Sequence, residues 1–129
     1  RLGGGRLIHA NAERLSVKPA AIIEEEALNF LRRGGFDQNI SNPSRVILGG
    51  GSSKKIVLLK EILNHLTPRG IIVVPLATLE QLESVINLLK HQKCNLKVSQ
   101  HNNFRGVPLL QGTRLQPMNP VFIVKGKLE

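Results

Sequence analysis

Two short apolar runs, each closed by a chain-breaking residue and joined by an amphipathic stretch, constrain this chain more than any other feature. Arg45-Val-Ile-Leu48 stops at Gly49-Gly50-Gly51, and Ile71-Ile-Val-Val74 stops at Pro75. Runs of this length and type, bounded in this way, predict buried strands. Between them Ile56, Leu59, Ile62, Leu63 and Leu66 recur at helical spacing, Ser52 or Ser53 stands where a helix cap belongs, and Thr67-Pro-Arg-Gly70 reads as a turn. A further helix is predicted from Leu79 to about His91, opened by the capping-box pair Thr78 and Gln81. Leu96 to Gln100 and Val121 to Lys125 read as strands, and the Asn-, Gly- and Pro-rich stretch between them as a loop. Strand, helix, strand, helix, strand is the sequence form of parallel βαβ units, so the class is α/β, with an antiparallel closing pair.

The N-terminal third is less regular. Gly3-Gly4-Gly5 precedes a candidate strand, Arg6 to Ala10. Residues 19 to 33 read as a helix: Pro19 suits its first turn, Glu24 to Glu26 lie early, Arg32 and Arg33 late, and Gly34-Gly35 stop it. Ile22, Ile23, Ala27, Phe30 and Leu31 supply its apolar face, and residues 36 to 44 read as loop.

At 129 residues and 41% apolar content the chain has material for a single domain with its own core. No apolar run approaches the length of a membrane span and no secretory leader is visible. The single cysteine, Cys94, has no internal partner, which fits a reducing, cytoplasmic setting. The start at Arg1, without an initiator methionine, predicts a piece of a longer protein. Lys and Arg exceed Asp and Glu by 18 to 9, and no acid occurs between Glu83 and Glu129. Such a field draws polyanions. Nucleic acid is disfavoured among them, because four Phe and no Trp or Tyr leave few platforms for base stacking. His9, His65, His91 and His101 show no metal-ligand spacing, so no metal site is expected.

The glycine turn 49–51 follows a predicted strand and opens a helix, where open α/β sheets bind ligands, although it matches neither a Walker loop nor a Gly-x-Gly-x-x-Gly fingerprint. Arg45-Val-Ile-Leu-Gly-Gly-Gly51, Leu66-Thr-Pro-Arg-Gly70, Ala77-Thr-Leu-Glu80 and above all Gly112-Thr-Arg-Leu-Gln-Pro-Met-Asn-Pro-Val-Phe-Ile-Val124 resemble the decarboxylating precorrin-6Y methyltransferases of cobalamin biosynthesis. The resemblance runs over residues 45 to 127.

It implies a Rossmann-like class I methyltransferase fold, a mostly parallel sheet with an antiparallel last strand, and S-adenosylmethionine as methyl donor. Gly49, Gly50 and Gly51 then lie at the donor, and Arg105, Arg114 and Asn119 at a polycarboxylate tetrapyrrole substrate. Val107, Leu109 and Leu110 are candidates to cover the macrocycle. Residues 22 to 27 also overlie the family's third strand, which puts Glu26 beside the adenine; the local pattern favours a helix there instead. The family's donor-binding glycine turn has no counterpart before a helix in residues 1 to 44, Asn11 stands where an acid is expected, and Pro75 replaces a residue commonly asparagine. The expected fold is therefore N-terminally incomplete or rearranged, in a homo-oligomer or a larger polypeptide. Two rivals are a noncatalytic methyltransferase-like binding or assembly module and a nucleic-acid methyltransferase or binder.

Overall fold

Residues 4–14 form a helix where the sequence pattern suggests a strand. The computed structural model describes residues 3–36, 40–50 and 53–129, in two compact units, Arg1–Ser41 and Asn42–Glu129. In the first unit α1 (Gly4–Arg14) starts directly after Gly3, whose φ of 84° is a left-handed turn that glycine adopts without strain. Five residues are too few to separate the two periods; over eleven, Ile8 and Ala12 fall one helical turn apart and Ala12 is buried.

The helix predicted for 19–33 is cut to α2 (Ala27–Arg32). Glu26 is extended, with ψ 124°, and the chain before it is not helical. The cause lies in the acids. Successive side chains of an extended chain point opposite ways. Glu24 thereby reaches back to accept a hydrogen bond from the Gly5 N–H at 2.8 Å, and Glu25 forward to the Arg33 guanidinium at 2.7 Å. Helical backbone would stack three carboxylates in one turn. The predicted glycine stop is present: Gly34 has φ 77°, and a Cβ on Gly35 would sit 2.5 Å from the Phe30 ring. Phe30 packs edge-on against Phe36 at 5.5 Å, and Arg33 lies 5.3 Å over the Phe30 ring.

The second unit holds β1 (Arg45–Ile47), α3 (Lys55–His65), β2 (Ile71–Leu76), α4 (Leu79–His91), β3 (Asn95–His101), β4 (Phe104–Leu109), β5 (Gly112–Pro117) and β6 (Val121–Lys127). The main sheet has the order β1-β2-β6-β3. β1 is parallel to β2, and β6 is antiparallel to both β2 and β3, so the first three strands run one way and the last the other. Both crossovers move in the same direction along the sheet. Right-handed connections therefore place α3 and α4 on one face. Leu59, Ile62, Leu63, Ile72, Val74, Leu76, Val85, Leu89 and Val124 form the core beneath them. Gly126 lets α4 sit close, since a Cβ there would lie 3.3 Å from Leu89 Cδ1 and 3.4 Å from Ile72 Cγ2.

Three details differ from the sequence reading. Pro75 does not end its strand. Val73 O accepts from the Leu48 N–H, so residues 71, 73 and 75 turn their polar groups toward β1, which has ended by the level of Pro75. The missing N–H of Pro75 therefore faces an unpaired edge, where proline is tolerated. β1 is not buried: Leu48 is enclosed, but Ile47 is 77% exposed. The loop predicted between the last two strands is instead an antiparallel hairpin, β4 with β5, turning at Leu110, whose φ is 51°. Its Gly and Pro residues sit in a two-stranded ribbon whose edges are free, which a central strand would not allow.

Of the caps, Thr78 Oγ1 accepts from the Gln81 N–H at 3.3 Å. The start of α3 has no side-chain cap among the described residues: its N-cap is Lys54, not Ser53, and Ser52 lies outside the described residues. Among the described residues no helix is long and apolar enough to cross a membrane.

Candidate functional site

The first unit carries a cleft of about 800 Å³ lined by Gly3, Gly4 and Gly5, by Ile8, and by the extended segment from Ile22 to Glu26. Its floor is the N-terminus of α1, where unpaired N–H groups and the helix dipole favour negative charge. Glu24 meets that need from within the chain, through the Gly5 N–H. Gly5 must be small for this, as a Cβ would fall 2.6 Å from the Glu24 carboxyl carbon. Glu25 is held by Arg33, whose hydrogen bond, with a lesser Coulombic contribution, keeps its carboxyl below the usual glutamate range. Glu26 is the N-cap of α2 and lines the same cleft. The wall thus runs from two isoleucines to three glutamates, opposite a glycine turn that opens a helix.

This corrects the sequence reading twice. The triple glycine does precede a helix, and Glu26 reaches a cleft because its backbone is extended, not helical. Sequence reasoning missed Gly3 to Gly5 and Glu24. The available signal was a glycine run followed by Ile8 and Ala12 at helical spacing.

In the second unit Gly49 and Gly50 follow β1 at the carboxyl edge of the parallel strands, with Gly50 at φ 84°; Gly51 lies outside the described residues. Neither Gly49 nor Gly50 has any atom within 4 Å of a would-be Cβ, so the turn is open. Arg105 and Arg114 stand on the hairpin. Arg105 pairs with Gln116 and Val107 with Arg114, so both arginines share one face with Val107, while Phe104, Leu115 and Pro108 occupy the other. Both arginines are exposed, as is Asn119 in the connection from β5 to β6. Leu109 and Leu110 lie at the hairpin tip, where Leu110 is 99% exposed. Cys94 is buried, and burial, with the Glu129 charge, raises its thiol pKa, an inert arrangement. Among the described residues no cluster of three His, Cys, Asp or Glu side chains is placed to hold a metal ion.

A glycine turn and an acidic segment thus stand in one unit, and a βαβ sheet with an antiparallel last strand in the other. The profile of the precorrin methyltransferase domain family matches residues 4–126. The chain belongs to this family. A curated relative, the probable cobalt-precorrin-6B C(15)-methyltransferase (decarboxylating) of Pyrobaculum aerophilum, is 30% identical over 115 residues, 88% of this chain and 56% of the relative. The precorrin-8w decarboxylase structure from Methanobacterium thermoautotrophicum superposes with a TM-score of 0.79 at 21% identity, over 98% of this chain and 65% of that one. The precorrin-6Y C5,15-methyltransferase of Geobacter metallireducens gives 0.67 at 20% identity, over 93% and 60%. The fold is therefore the Rossmann-like methyltransferase fold expected, and this precorrin methyltransferase family chain spans little more than half the length of the curated relative.

Proposed function

We propose that the chain takes part in S-adenosylmethionine-dependent C-methylation, with decarboxylation, of a precorrin. The observation that carries this reading is the family match over nearly the whole chain, which includes every residue lining the first cleft except Gly3. The cleft's size and lining fit a nucleoside: Ile8, Ile22 and Ile23 offer a flat apolar wall, and Glu24 and Glu26 offer acceptors for ribose hydroxyls or an amino group. When bound, the donor supplies an electrophilic methyl. The protein supplies placement, since holding the reacting carbon in line needs no protein nucleophile. Arg105 and Arg114, on one hairpin face, suit carboxylates of the tetrapyrrole, which arginine binds in bidentate fashion. Asn119 is assigned to the same proposed substrate surface, and the Gly49–Gly50 turn is a separate candidate for donor contact.

Self-association is part of the proposal. A two-stranded ribbon is marginal alone in water, and Phe104 and Leu115 leave its second face apolar and exposed. A second copy covering that face would supply the missing burial. Sedimentation of the Phe104→Ser, Leu115→Ser variant should show the monomer, whereas an unchanged mass ends this part of the proposal.

One observation favours a second reading, a binding module without turnover: Glu24 already occupies the helix N-terminus that an anionic part of a donor would take. Calorimetry separates the two. Micromolar binding of S-adenosylhomocysteine, weakened about tenfold by Glu26→Gln through loss of one charged hydrogen bond, supports the enzyme. Absence of binding, with a retained affinity for tetrapyrrole polycarboxylates, selects the module.

A further inference from the structure

A second cleft, about 170 Å³, opens where the first turn of α3 faces the first turn of α4, with Ser53, Lys55 and Ile56 on one side and Glu80, Gln81 and Ser84 on the other. It lies at the carboxyl edge of β1 and β2, the side of a parallel sheet where ligands collect. Lys55 is the one buried charged residue among those described, at 6% exposure. Among the described residues it makes no hydrogen bond or ion pair, although it lines the cleft. Burial pushes its pKa below the ordinary lysine value.

Glu80 is the one acid among the lining residues, and it is not paired with Lys55. The first hydrogen bond of α3 runs from the Leu58 N–H to Lys54 O, which leaves the N–H groups of Lys55, Ile56 and Val57 without intrahelical partners. Among the described residues no side chain caps this end, and no acid lies in its first turn. The facing helix differs: Thr78 caps α4, and the Ser84 hydroxyl donates to Glu80 O. An enclosed lysine, whose ammonium is not cut off from solvent, and the open amides of one helix N-terminus thus line one small cleft. Each favours negative charge, and together they form a charge-assisted site for a planar or tetrahedral oxyanion.

We propose that Lys55 and the α3 N-terminus form an oxyanion subsite that takes one carboxylate of the acidic substrate. The assignment to a substrate carboxylate rests on the precorrin reading; the subsite itself does not, because inorganic phosphate offers the same chemistry. Lys55 is a binding residue here, not a structural one. Its burial uncompensated works against the fold, so Lys55→Met, which keeps the stem and removes the charge, should unfold at a urea concentration at or above that of the unaltered chain.

The test uses the full chain with two probes, uroporphyrin as a polycarboxylate tetrapyrrole and inorganic phosphate. Binding is followed by fluorescence or calorimetry, and the reactivity of Lys55 by acetic anhydride labelling and mass spectrometry. Uroporphyrin should slow labelling of Lys55 severalfold, Lys55→Met should bind it about tenfold more weakly, and Lys55→Arg should recover most of that loss. Protection by phosphate without uroporphyrin binding upholds the subsite and removes the tetrapyrrole reading. Equal uroporphyrin affinity in Lys55→Met, with labelling unchanged by either probe, overturns the subsite and leaves that reading standing. Should Lys55→Met fail to fold, the labelling of the unaltered chain decides alone.

Discussion

At the scale of single residues, the acids of the first unit and one glycine of the second bear the most weight. Arg33 holds Glu25 through paired hydrogen bonds on the surface, and the Glu25 carboxyl titrates below its usual range. A depressed carboxylate pKa adds stability above the unfolded-state value, and that contribution is lost as pH falls through the folded value. Because the pair is exposed, solvent screens it and the effect on stability is small. Arg33→Ala should nevertheless bring the Glu25 titration, followed by carboxyl NMR, back up to the ordinary range; an unmoved titration would show that Arg33 is not its cause. Gly126 makes the opposite kind of demand. Its Cβ position already lies in tight contact with Leu89 and Ile72, so Gly126→Val should cost about 1–3 kcal/mol in urea denaturation, as overpacked cores do. Gly126→Ala should cost less, because side-chain ends can give by a few tenths of an ångström.

At the scale of elements, α4 was legible from its sequence almost to the residue, because capping signal, apolar period and basic last turn agree: Thr78 begins it, and Lys90 and His91 end it. Thr78→Ala should lower stability by about 1 kcal/mol, read from the urea midpoint, since it frees the Gln81 N–H from its acceptor. Residues 19–33 misled for a physical reason. Local charge order favours a helix there, but the backbone is extended through Glu26 so that Glu24 and Glu25 can serve partners nineteen and eight residues away. Residues 104–117 misled likewise, since glycine and proline signal loops unless a ribbon has free edges to receive them. That ribbon packs little against other elements, so its amides should exchange with solvent faster than those of β2 and β6 by orders of magnitude in an isolated monomer. Slow exchange at Phe104 to Leu109 in solution would itself be a mark of a covering second copy.

At the scale of the whole molecule, +9 net charge and a hairpin face with two exposed arginines predict salt-sensitive binding of acidic ligands. Uroporphyrin affinity should fall severalfold between about 50 and 200 mM salt, a range over which the screening length passes through roughly 10 Å. A salt-independent affinity would mean that apolar contact dominates instead. The sequence by itself determined the α/β class, the βαβ order of the second unit and the antiparallel last strand, because these rest on the periodic burial of short apolar runs and on local caps and turns; the family was legible in its resemblance at residues 45–51 and 112–124. Only the tertiary structure decided what depends on distant partners: that Gly3 to Gly5 open a helix onto a cleft closed by Glu24, that Arg105 and Arg114 share one ribbon face, that Pro75 continues a strand past the end of its neighbour, and that Lys55 is buried without a counter-charge. Local free energies set the elements, whereas the fate of a polar group is set by whatever the fold brings against it.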